Sequence, residues 1–113
     1  MRILVGNEPR SYREVMAATL QELRPHLEVI IVEPEDLDGA VVQRGPQFVL
    51  CSRLSEVVET RCLAWVLLYP HGEACVVISV AGRRHTVPDP GLDGLLRVVD
   101  QTALLARDDA HQL

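Results

Sequence analysis

Five residues separate Tyr69 from Cys75, and no other feature constrains the fold as tightly. The segments on either side are apolar and rich in strand formers, Leu63 to Tyr69 before the gap and Cys75-Val76-Val77-Ile78-Ser79-Val80 after it. A parallel crossover needs a dozen or more residues, usually including a helix. The two strands must therefore run antiparallel. Ala81-Gly82 is turn-like, and Arg83 to Val87 reads as a return strand, so residues 75–87 predict a hairpin.

Upstream of the gap the pattern is different. Arg2-Ile3-Leu4-Val5 is a short apolar run that stops at Gly6-Asn7-Glu8, a first strand opening at its carboxyl end. Tyr12, Val15, Met16, Thr19, Leu20 and Leu23 recur at helical spacing, which predicts a helix over 11–24. Ser11 and Glu14 have the spacing of a capping box, and Pro25 ends the helix. Val29 to Val32 reads as a buried second strand. A short helix over 35–44 points Leu37, Ala40 and Val41 inward, and Gly45-Pro46 turns into a third strand, Phe48 to Cys51. Leu54, Val57 and Val58 suggest another short helix before the fourth strand. This order, β-α-β-α-β-α-β, is that of a parallel sheet with helices on both faces. After the hairpin, Asp89-Pro90 predicts the cap and first turn of a last helix, with Leu92, Leu95, Leu96, Val99, Thr102 and Ala103 as its apolar stripe.

Composition narrows the function. All eleven basic residues are arginine, and the formal net charge is -5. An acidic chain lacks the basic face that nucleic acid or an anionic membrane needs, so neither is expected as a partner. The absence of lysine removes Schiff-base chemistry and the P-loop lysine. No G-x-G-x-x-G is present either, so no cofactor is expected. Cys51, Cys62 and Cys75 have no CxxC spacing, the four histidines show no ligand spacing, and no metal is expected. An odd cysteine count without a signal segment predicts a cytoplasmic protein. Residues 1–107 read as a single domain and 108–113 as a polar tail.

Ile3 to Glu14 resembles the opening of a response-regulator receiver domain, in which the first strand ends in an acidic pair and a helix follows. Gly45 to Ser52 resembles that family's third strand, which ends in the phosphoacceptor aspartate, and Pro88 with the helix after it resembles the end of the fifth strand. The resemblance covers about three quarters of the chain. It implies a three-layer, flavodoxin-like α/β fold, mostly parallel, with strand order 2-1-3-4 extended by the antiparallel hairpin and a final helix. It also implies a degenerate site. Asn7 and Glu8 stand at the acidic pair, Ser52 at the phosphoacceptor, Tyr69 at the small hydroxyl and Val87 nearest the lysine. Neither a carboxylate to phosphorylate nor a lysine to hold the phosphoryl group remains, and the hairpin replaces the family's fourth crossover helix.

Cys51 lies at a strand's carboxyl end, but a phosphatase loop would need arginine six positions later, where Val57 stands. A buried structural thiol is the plainer reading. His71, in the turn after the fourth strand, is the histidine nearest the crevice. Arg83-Arg84 on the hairpin could bind a phosphate or an acidic partner, with a solvated turn as the plainer reading. The reading that follows is a non-catalytic, receiver-like signalling module working through protein contact, with self-association as a homodimer. The expected interface is the hairpin, because Val76, Ile78 and Val80 on one face and Val77 on the other leave a strand that needs cover on both sides. The alternative is a small enzyme or ligand-binding protein using the crevice between Asn7, Glu8, Cys51, Ser52 and His71.

Overall fold

The computed structural model describes the backbone of residues 1–111 and the side chains of residues 1–107. Six strands form one mixed sheet in the order β2-β1-β3-β4-β5-β6. They are β1 (Arg2–Gly6), β2 (Glu28–Ile31), β3 (Phe48–Cys51), β4 (Ala64–Leu68), β5 (Cys75–Val80) and β6 (Arg83–Pro88). The four helices are α1 (Arg10–Leu23), α2 (Leu37–Arg44), α3 (Glu56–Arg61) and α4 (Gly91–His111). Strands β1 to β4 are mutually parallel. β5 runs antiparallel to β4 and β6 antiparallel to β5, as the short gap after Tyr69 requires.

The continuous apolar runs follow from burial on both faces. Ile3, Val5, Phe48, Leu50, Val66 and Val76 point to one side, where Ala17 and Leu20 of α1 and Leu95, Val98 and Val99 of α4 cover them. Leu4, Val49, Cys51, Trp65 and Val77 point to the other, beneath Leu37 and Val41 of α2 and Val58 of α3. Each strand alternates between the two cores, so a one-residue slip would exchange them.

The helix ends depart from expectation in physical detail. α1 begins at Arg10, with Pro9 at its cap position and no side-chain cap. Ser11 is therefore inside the helix, and Glu14 accepts a hydrogen bond from Arg10 Nε at 3.0 Å instead of closing a capping box. Ser55 does cap α3, its Oγ accepting from the Val58 amide at 3.2 Å. Gly45 ends α2 at φ +56, where a side chain would be strained. β2 is an edge strand, and Ile31 is exposed rather than buried. Leu92 and Val15, predicted to face the core, are exposed as well. Asp89 Oδ1 accepts from the Gly91 amide at 3.0 Å, and α4 starts beyond Pro90. α4 continues to His111, into the segment read as a tail, while residues 112–113 lie outside the described residues.

The hairpin is packed into the chain. β5 lies between β4 and β6, and Val76, Val77, Ile78 and Val80 are all buried without a second subunit. The C-terminal helix covers the first face. On the second, Val77 packs with Trp65 and Leu67, and Arg84 lies with its guanidinium carbon 5.2 Å from the Trp65 ring centroid. Arg84 Nη1 also donates to Glu59 Oε1 of α3 at 3.0 Å. These contacts supply part of the cover that a fourth crossover helix would give. The expected need for a partner over β5 is thereby removed. Among the described residues, no helix is long and apolar enough to cross a membrane.

Candidate functional site

Strands β1, β3 and β4 end at one level, with Gly6 paired to Cys51 and Cys51 to Leu67. The loops leaving them wall a crevice of about 670 Å³. Gly6 permits this end to close, because a Cβ there would come within 3.1 Å of Leu37 Cδ1 from α2.

The residues that the resemblance singles out divide into those that reach the crevice and those that do not. Asn7 does not reach it. Its side chain is fully buried, and neither Oδ1 nor Nδ2 has a hydrogen-bond partner among the described residues. Its carbonyl accepts from Arg13 Nη1 at 3.2 Å. Glu8 is exposed at the rim, and its amide donates to Ser52 Oγ at 2.8 Å. Ser52 thus ties the end of β3 to the loop after β1. Cys51 lies behind it, fully buried, and burial raises its thiol to about 12. At neutral pH it holds its proton, which removes the thiolate that nucleophilic chemistry requires.

Tyr69 stands between two hollows. Its backbone is left-handed at φ 50, and its hydroxyl donates to Asp89 Oδ2 at 2.9 Å. That bond, with a smaller contribution from burial, raises the phenol well above its usual value. One side of Tyr69 faces the crevice. The other lines an apolar cavity of about 170 Å³ with Met16, Leu68, Val76 and Leu95. Tyr69 therefore does not plug the crevice. His71 lines it and is also left-handed, at φ 55. Val87 is distant in topology. It lies on β6 and pairs with Val76 of β5, which is interposed between it and β4, and it packs on the α4 side of the sheet. An antiparallel strand thus occupies the place beside β4 where the resemblance puts a fifth parallel strand.

Three arginines take positions that the sequence reading did not give them. Arg13 is 3% exposed and pairs through Nη2 with Glu33 Oε2 at 3.1 Å. Its spacing with Ala17 and Leu20, four and seven positions on, puts it on the buried face of α1 and could have shown this. Arg53 and Arg84 both line the crevice. No local spacing relates them, because they meet only through the sheet register. Among the described residues, no cluster of three or more His, Cys, Asp or Glu side chains could hold a metal ion.

No family model, no curated protein and no solved structure matches this chain.

Proposed function

We propose that the chain is a non-catalytic, receiver-like signalling module that works by protein contact. The order β2-β1-β3-β4, parallel and covered by helices on both faces, supports a flavodoxin-like scaffold. The observation that carries the reading is Ser52. It directly follows β3, and its Oγ accepts from the Glu8 amide. A receiver-type site needs a carboxylate there, a pair of hard oxygen ligands on β1 and a cation from the last strand. This chain offers a clamped hydroxyl, a buried carboxamide and Val87. Three free thiols support a reducing, cytoplasmic setting.

Burial of the apolar β5 residues moves the proposed homodimer contact outward to β6, the sheet edge. Tyr69 N donates to Cys75 O and Ala81 N to Leu63 O, so the odd-numbered residues of β5 bond to β4 and the even ones to β6. Arg83, His85 and Val87 then turn their backbone groups inward, and Arg84, Thr86 and Pro88 turn theirs outward. In sedimentation velocity, wild type should dimerise at high micromolar concentration, and Thr86→Pro, which removes an outward amide, should yield a folded monomer. A monomeric wild type contradicts self-association. A second reading, a ligand-binding protein, is favoured by the size of the crevice, which lies within the roughly 300–1,000 Å³ of small-molecule sites.

A further inference from the structure

We propose that the crevice binds a small molecule bearing an oxyanion, a phosphate monoester or a carboxylate, on an apolar body. This gives a chemistry to the second reading and is independent of self-association. Its wall converges hydrogen-bond donors that the protein itself does not use. Ser52 Oγ accepts from the Glu8 amide at 2.8 Å, and among the described residues its own hydroxyl proton has no acceptor. Arg53 makes no hydrogen bond or ion pair among the described residues, so its guanidinium fork is free. Arg84 commits Nη1 to Glu59 and lies over the Trp65 ring, and among the described residues its other N–H groups have no acceptor.

Charge points the same way. Two arginines line the crevice against one carboxylate, Glu8, in a chain of formal net charge -5. Glu59 offsets part of Arg84, so Arg53 is the main source of attraction. Arginine suits this role because its fork matches the two oxygens of a carboxylate or phosphate. Leu54, Leu67 and Pro70 give the remaining wall an apolar surface. The loop closing that wall holds two non-glycine residues, Tyr69 and His71, in the left-handed region. Backbone strain of this kind concentrates at ligand clamps. The smaller cavity beside Tyr69 lacks this set of donors.

The test is an amide NMR titration of the full chain with phenyl phosphate, benzoate and, as the neutral counterpart, benzyl alcohol. Saturable shifts at Ser52, Arg53, Tyr69 and His71 with either anion, and none with the alcohol, are expected. The tighter anion identifies which oxyanion the crevice prefers. Arg53→Gln should keep the folded spectrum and weaken binding about ten-fold, the effect of losing one charge-assisted contact. Arg84→Gln should weaken it too. No saturable shift up to about 10 mM, beyond the millimolar range of weak specific binding, would overturn the proposal. So would shifts confined to another surface, equal binding of benzyl alcohol, or undiminished affinity in Arg53→Gln. Each of these failures would leave the module reading standing, since that is read by mass and by sedimentation.

Discussion

Leu4→Ala tests whether β1 is an interior strand of the sheet. Leu4 is fully buried, paired with Ile30 on one side and Val49 on the other. Its side chain packs in the core that also holds Leu37, Val41 and Trp65. Truncation removes buried carbons and leaves a hole that parallel strands on both sides resist filling. Such replacements cost about 2–5 kcal/mol, the upper part of the range applying where the site cannot collapse. For a domain of this length the unfolding entropy is roughly 0.24 kcal/mol/K, from about 2.1 cal/mol/K per residue. A loss of about 3 kcal/mol then lowers Tm by about 12 °C. Urea denaturation and calorimetry should agree on that loss, with an unchanged m-value. Val42→Ala, at a side chain 54% exposed, is the control and should stay within about 0.5 kcal/mol of wild type. A Leu4→Ala loss below about 0.5 kcal/mol would refute the interior position of β1.

Three further outcomes follow from burial. Val77→Arg should unfold the chain or cost it more than about 3 kcal/mol, since it forces a charge between Trp65 and Leu67; a stable, folded variant would mean that β5 is not internal. Asn7→Leu should leave stability unchanged or raise it, because the buried carboxamide makes no hydrogen bonds among the described residues; a loss above about 2 kcal/mol would show that the carboxamide is satisfied. Burial raises Cys51 to about 12 and Cys62 to about 11. The folded state therefore keeps these protons while the unfolded chain releases them above about 8.5. Stability should be fully present below that pH and fall as pH rises towards the folded values. A flat denaturation profile between about pH 8 and 10 would contradict the raised thiols.

The parts of the fold legible in the sequence are those where burial acts on every residue of a segment. β1, β3, β4 and β5 are buried nearly throughout, so each reads as a continuous apolar run, and the gap after Tyr69 leaves one possible direction for β5. Edges were harder. Val29 to Ile31 has the composition of a central strand, yet β2 has one neighbour, and Ile31 faces outward. β5 presents the converse case, for its apolar faces are satisfied by Trp65, Leu67 and α4, contacts that no local pattern announces. The crevice was legible at Glu8, Ser52 and His71, which lie one to three residues beyond strand ends. Asn7 was misplaced because composition cannot tell which way a polar side chain turns. Arg84 was legible only as half of a hairpin arginine pair that could bind a phosphate, and its place beside Arg53 was not, since the sheet register alone brings a loop after β3 beside an outer strand.

The proposed function requires that this α/β scaffold carry no phosphorylation chemistry. Incubation with acetyl phosphate and Mg²⁺, followed by intact mass measurement, tests it most directly. The account predicts an unchanged mass, because Ser52 is clamped to Glu8, Asn7 is buried and no lysine exists to hold the phosphoryl oxygens. A stable gain of about 80 Da, one phosphoryl group on any residue, would contradict it.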